Sequence, residues 1–191
     1  MPGKIFFTVC FWLILLSVTT DAGGPESLVE QIKTGGHVLM IRHAVAPGTG
    51  DPDNFRISDC STQRNLSDQG RGQARHIGQW LRLRGIGSSR VYSSQWCRCL
   101  ETARLLDLGP VVELPALNSF FQRLQDREPN LAALRAFISE QPADGALIVL
   151  VAHSVTITGI TGKSVSSGEG AVIRLKGDGG FEVLGRLGFD F

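Results

Sequence analysis

The 191-residue sequence has almost no net charge, with 19 lysines and arginines against 18 aspartates and glutamates. General nucleic-acid binding and a polybasic hold on anionic membranes both need a strong positive excess, so both are excluded as expectations. There is no Cys/His spacing of the kind that holds zinc, no internal repeat and no low-complexity tract. These absences exclude a zinc-stapled domain, a solenoid and a disordered tether. Long hydrophobic runs are also scarce: one runs from Ile5 to Val18, short of the roughly 20 residues a membrane span needs.

Lys4 precedes that run, and Thr20-Asp21-Ala22 follows it with small residues where a signal peptidase cuts. The pattern predicts a secretory signal over residues 1–22, with an uncleaved anchor as the alternative. Residues 23–191 then make one domain with a self-sufficient core, exported to a periplasmic or extracellular space and without stable membrane association. Export brings an oxidising environment to Cys60, Cys97 and Cys99. One disulfide and one leftover thiol are expected, Cys60 pairing with Cys97 or Cys99, with Cys97 the preferred partner and three free thiols the alternative.

Val38-Leu39-Met40-Ile41 and Ala146 to Ala152 are continuous apolar runs, which read as strands buried on both faces. Shorter strands are expected at Arg90 to Ser93 and Val111 to Leu114, and a terminal hairpin pairs Ala171 to Leu175 with Phe181 to Leu187 across Gly177-Asp178-Gly179-Gly180. Between them, Ser67 caps a helix that ends at Gly85, Gln95 to Leu106 forms a second, and Asn130 caps a third that runs to about Ser139. An amphipathic stretch at Ser27 to Ile32 leads in. The segment from Ala44 to Arg64, rich in Gly, Pro, Asp and Ser, is a long loop of the functional kind. The alternation predicts an α/β three-layer sandwich, a mostly parallel sheet with helices on both faces.

Two histidines, His43 and His153, follow the two most apolar strands directly, and Arg42 precedes the first. In a parallel sheet such strands end on one edge, where ligands bind. The basic residues are mostly arginine, suited to planar recognition of phosphate or carboxylate. His37 and His76 fit no such pattern and read as solvent or boundary residues.

The ordered series Arg42-His43-Ala44, Leu66-Ser67, Gly70, Gln73-Ala74, Ser94, Arg98, Thr102-Ala103 and Leu147 to His153 resembles the histidine phosphatase superfamily, which includes the phosphoglycerate mutases. Ala44 and Ser154 stand where that family has glycine. The resemblance implies a phosphoglycerate mutase-like fold, His43 as a nucleophile that carries the phosphoryl group, and Arg42, Arg98 and His153 as its phosphate ligands. Thr49, Arg64 and Asn65 are expected as further polar contacts. The arginines would do what magnesium does elsewhere, so neither a metal nor another cofactor is expected. Where the family carries its proton-donating glutamate, this chain has Ser119, so the acid is sought at Asp126, Glu128 or, preferably, Glu169 between two glycines. The short stretch Pro115 to Asn130 leaves little room for a lid. The expectation is an exported phosphatase acting on a phosphate ester, the partner being a phosphorylated substrate. The alternatives are a non-catalytic phosphate-binding member of the fold and a phosphohistidine phosphatase acting on a protein. A Cys60–Cys97 bridge would tie the long loop to the residue beside Arg98.

Overall fold

The computed structural model describes residues 24–189, so the predicted signal segment lies outside the described residues. Eleven elements follow in the order α1 (Pro25–Lys33), β1 (His37–Arg42), α2 (Asp68–Leu83), β2 (Arg90–Ser93), α3 (Cys97–Leu106), β3 (Val111–Glu113), α4 (Arg127–Ser139), β4 (Ile148–Ala152), α5 (Ser154–Thr161), β5 (Gly170–Leu175) and β6 (Phe181–Leu187). The six strands form one sheet in the order β3-β2-β4-β1-β5-β6. The first four strands in this spatial order pair in parallel, while β5 and β6 run antiparallel.

Alternation along the central strands builds two cores. Leu39 and Ile41 of β1, with Val149 and Val151 of β4, pack with Leu28, Ile32, Ile77, Leu81 and Leu106 of α1, α2 and α3. Their neighbours Val38, Met40, Ile148 and Leu150 face Leu131, Leu134, Ile138 and Ile157 of α4 and α5. Both faces are thus covered, which is why these strands are apolar throughout. Complete burial of each such side chain is worth roughly 1.5–3 kcal/mol. Ser67 caps α2 as expected, its hydroxyl accepting from Gly70 N at 3.1 Å.

Three local readings are corrected. The fourth helix starts at Arg127, and Asn130 lies inside it, donating to the Asn118 carbonyl at 3.3 Å instead of capping. The short helix α5 was not anticipated, because its Val155, Ile157 and Ile160 have no long amphipathic period to read. His37 is neither solvent nor boundary: it is buried, paired through Nδ1 with the Gly35 carbonyl, and its Nε2 is without a hydrogen-bond partner.

The segment after β1 is a loop, but an ordered one. A single 3-10 turn, Cys60–Thr62, is followed by Gln63, whose amide donates to the Arg56 and Ile57 carbonyls at 3.0 Å each. Buried Thr62 and Gln63 pack the loop from within. Cys60 is disulfide-bonded to Cys97 with Cα atoms 5.7 Å apart, and Cys99 is free and buried. Among the described residues no helix is long and apolar enough to cross a membrane.

Candidate active site

Strands β1 and β4 are adjacent and parallel, with Arg42 opposite Ala152. The next residue of each is therefore a histidine leaving the sheet at the same edge. His43 N donates to the Ala152 carbonyl at 3.0 Å, which fixes the first histidine beside the second strand. The chain after His43 is held by α2 and α3. Ala44 N donates to Thr102 Oγ1 at 3.1 Å and Val45 N to Gln73 Oε1 at 3.0 Å, while Ser67 N donates to the Val45 carbonyl at 3.1 Å. A Cβ on Gly70 would stand 2.0 Å from that same carbonyl, so only glycine lets α2 come this close. Gln73, Thr102, Ser67 and Gly70 are thus the supports of the segment that carries His43. Ala44 does not have a positive φ, so the position has no conformational need for glycine.

A cavity of about 260 Å³ opens at this edge, lined by Arg42, His43, Thr49, Arg64, Arg98 and His153, with Asp51, Ser119, Phe121 and Gln122 from the loops and Ser154 and Val155 from the first turn of α5. A larger depression of about 690 Å³ lies elsewhere, around the half-cystines Cys60 and Cys97 with Arg71 and Glu101. It contains neither histidine. We regard the smaller one as the candidate site because the strand ends and the converging arginines meet there.

His43 is 2 % exposed. Its Nδ1 lies 2.8 Å from the Ala44 carbonyl, which can only accept, so Nδ1 carries the proton and Nε2 keeps the lone pair. Burial above all, countered by that carbonyl and reinforced by Arg98, Arg42 and Arg64, lowers its pKa to about 3. The imidazole is neutral at physiological pH. His153 is likewise held well below its ordinary value, first by burial, then by His43 and the same arginines. Its Nε2 lies 3.0 Å from Ser94 Oγ and 3.5 Å from Cys99 Sγ. Burial pushes the Cys99 thiol up to about 12, so it remains protonated.

The arginines lie close together: after burial, Arg98 is the largest cause of the lowered pKa of both Arg42 and Arg64. Arg42 donates to the Val165 carbonyl at 3.2 Å, and Arg64 through Nε to the Gly50 carbonyl at 2.8 Å. Arg98 meets a carboxylate that the sequence reading missed. Its Nη1 and Nη2 donate to Asp51 Oδ1 at 2.8 Å and Oδ2 at 3.1 Å. Burial works against ionisation of Asp51, but hydrogen bonds from Arg98, from Arg64 N and from the Trp96 indole outweigh it and hold the carboxyl below its usual range. Nothing in the local pattern Gly48-Thr49-Gly50-Asp51-Pro52 separated it from a solvated turn aspartate.

Of the predicted site residues, Arg42, His43, Arg98, His153, Thr49 and Arg64 come together at the cavity. Asn65 does not. Its amide donates to the Cys60 and Gln63 carbonyls at 2.7 and 3.1 Å, and the residue lines the depression by the disulfide. Glu169 does not line the cavity either: its carboxylate accepts from Ser166 N at 2.8 Å, closing its own turn. Asp126 is ion-paired with Arg123 and Glu128 with Arg127, both away from the cavity. The expected acid is therefore at none of the three positions, and Ser119, which does line the cavity, is no acid at neutral pH.

The fold, the strand-end histidines and their supports are similar to those of the histidine phosphatase superfamily. Residues 38–121 match the family described as histidine phosphatase superfamily, branch 1. A 74-residue stretch is 35% identical to the mitochondrial serine/threonine-protein phosphatase Pgam5 of Drosophila virilis, covering 39% of this chain and 23% of that protein. The chain thus matches under a quarter of that relative's length. In fold, the chain is similar to the protein histidine phosphatase SixA solved with tungstate, with a TM-score of 0.57 and 20% identity over 79% of this chain and 96% of that one. The putative phosphohistidine phosphatase SixA of Nakamurella multipartitia gives 0.60 and 19% over 81% and 96%.

Proposed function

We propose that this chain is an exported phosphatase that passes a phosphoryl group from its substrate to His43 Nε2 and then to water. The observation that carries the reading is the tautomer of His43. A neutral imidazole with Nδ1 bonded to Ala44 presents its lone pair on Nε2 in a cavity with three guanidinium groups. In the first step Nε2 attacks phosphorus while the bond to the leaving group breaks; in the second, water attacks phosphorus and the P–N bond returns its electrons to His43. Arg42, Arg64 and Arg98 supply donors and charge to the phosphoryl oxygens as negative charge builds on them. His153 adds a donor from Nδ1 when the Ser94 hydroxyl turns from Asn118 Oδ1, to which it donates at 3.1 Å, and donates to His153 Nε2 at 3.0 Å instead.

The carboxylate at the cavity, Asp51, is ionised and fully hydrogen-bonded, so it has no proton to give a leaving alkoxide. Substrates that leave without help fit this site best: aryl phosphates, acyl phosphates and phosphoramidates such as phosphohistidine. The SixA proteins, similar in fold and by name phosphohistidine phosphatases, support that choice. The disulfide and the predicted signal support export.

The test is hydrolysis of a panel of an aryl phosphate, a phosphoramidate and an alkyl phosphate by the purified protein with EDTA present. Turnover of the first two, weak turnover of the third and none by His43→Ala are expected. Activity retained by His43→Ala contradicts the mechanism. Phosphate binding without turnover on any of the three favours the non-catalytic reading instead.

A further inference from the structure

The cavity holds a carboxylate where anion repulsion would argue against one, and its contacts say why. Asp51 is 8 % exposed at its side chain and Arg98 4 %. Oδ1 accepts from Arg98 Nη1 at 2.8 Å and from Arg64 N at 3.0 Å. Oδ2 accepts from Arg98 Nη2 at 3.1 Å and from Trp96 Nε1 at 3.0 Å. Four donors fill the lone pairs of an ionised carboxylate, so Asp51 can neither take up a proton nor turn toward another partner. Its backbone is fixed too: Gln122 Oε1 accepts from Asp51 N at 2.7 Å and Gln122 Nε2 donates to its carbonyl at 3.2 Å.

A guanidinium has five N–H bonds arranged as an end-on fork, Nη1 with Nη2, and a side-on fork, Nε with the outer proton of Nη2. On Arg98 the end-on fork is taken by Asp51, and the other proton of Nη1 goes to the Arg64 carbonyl at 3.2 Å. What remains is the side-on fork, and its Nε is buried with no partner. An unsatisfied buried donor is costly unless a ligand completes it, and a side-on fork matches two oxygens of a phosphoryl group.

We propose that Asp51 is a positioning residue for phosphoryl transfer: by occupying the end-on fork of Arg98 it sets the guanidinium so that the side-on fork meets the phosphoryl group. It also leaves the three arginines a net charge that matches a phosphoryl dianion, with both histidines neutral. The proposal rests on the reading of this cavity as a phosphoryl site.

The experiment is a double-mutant cycle of Asp51→Asn and Arg98→Ala, followed by titration calorimetry with inorganic phosphate and by kcat and KM on p-nitrophenyl phosphate. Removing a negative charge beside an anion should by charge alone tighten phosphate binding. Loss of positioning does the reverse, so Asp51→Asn is expected to weaken phosphate binding about tenfold and to lower kcat about 100-fold, the scale of one lost transition-state donor. In the Arg98→Ala background the same change is expected to cost nothing or to improve binding, since coupled residues are not additive. Tighter or unchanged phosphate binding by Asp51→Asn, or an equal loss in both backgrounds, overturns the proposal. Should Asp51→Asn not fold, Asp51→Glu keeps the buried charge pair but displaces the carboxylate. Its kcat is expected to fall about 100-fold with little change in KM, the scale of a misplaced group, and a wild-type kcat overturns the proposal as well. Wild-type protein that binds phosphate without turnover removes the phosphatase reading alone and leaves the binding cycle to decide on Asp51. Wild-type protein that does not bind phosphate contradicts both.

Discussion

The rings of His43 and His153 stand edge to face, their centroids 5.5 Å apart at 68°. Two imidazoles this close to three arginines cannot both be charged, and burial settles the matter by keeping both neutral. The pH dependence of kcat/KM, which reports the free enzyme, should therefore show no acidic limb from an imidazole near 6.5, the ordinary histidine value. An acidic limb near that pH that is lost in His153→Gln, or a His43 imidazole that titrates near 6.5 by NMR, would contradict the account.

The same shift acts on stability, with its sign set by the proton count. Below about 6.5 the unfolded chain protonates these histidines while the folded chain refuses, so the contribution to stability is complete above pH 7 and is lost as pH falls, for His43 down to about 3. Each imidazole so held costs about 1.4 kcal/mol per pH unit in that window. Urea unfolding at pH 7.5 and 5.5 is expected to show lower stability at 5.5 and a smaller difference in His43→Gln. An equal difference in the variant contradicts the assignment.

Gly70→Ala places a methyl group 2.0 Å from the Val45 carbonyl, one residue from the carbonyl that holds His43 Nδ1. Either α2 backs away or the His43 segment shifts. The expected cost is about 1–3 kcal/mol in unfolding free energy, as for overpacking elsewhere, with kcat reduced along with it. Gly72→Ala, at an exposed position on the same helix with nothing within 4 Å, is the control and should be neutral or slightly stabilising.

The Cys60–Cys97 bridge closes a segment of 37 residues in sequence separation that includes Gln63 and Arg64. Replacing both half-cystines by serine should cost about 2–4 kcal/mol, the range for loops of this size. It should also raise KM for aryl phosphates more than it lowers kcat, because Cys97 N donates to Gln63 Oε1 at 2.9 Å and keeps part of the loop in register. Thermal unfolding with and without a dithiol reductant gives the first number. An unchanged Tm on reduction would mean the loop packs independently of the bridge.

Glu169→Gln tests the correction to the proton donor. Its carboxylate serves the Ser166–Glu169 turn, and an amide oxygen can do the same. The kcat for aryl and alkyl phosphates alike is expected within about twofold of wild type, below the factor of 10² or more that general acid catalysis contributes. A selective loss on the alkyl ester would restore Glu169 as the acid.

Strands β1 and β4 were legible because burial on both faces leaves no polar residue to confuse the pattern, and the histidines followed from where those strands end. The partnership of Cys60 with Cys97 was legible because few cysteines leave few choices. Asp51 was not, because its role comes from a buried arginine 47 residues later in sequence and from the Trp96 indole. A lone aspartate between Gly50 and Pro52 carries the local signature of a turn whether or not it is buried. Glu169 failed in the opposite way: the flanking glycines do allow a tight backbone, but that tightness directs the carboxylate to its own turn. Asn65 lies one residue from Arg64, yet its amide is consumed by the Cys60 and Gln63 carbonyls on the other side of the loop.

The central claim is that His43 Nε2 becomes phosphorylated during turnover. Rapid quenching of the protein with a phosphoramidate or aryl phosphate substrate, followed by peptide mass spectrometry under alkaline conditions, measures it directly. The account predicts an acid-labile phosphoryl group on the peptide containing His43, absent from His43→Ala together with turnover. Turnover without that adduct, or an adduct on another residue with His43→Ala still active, would contradict it.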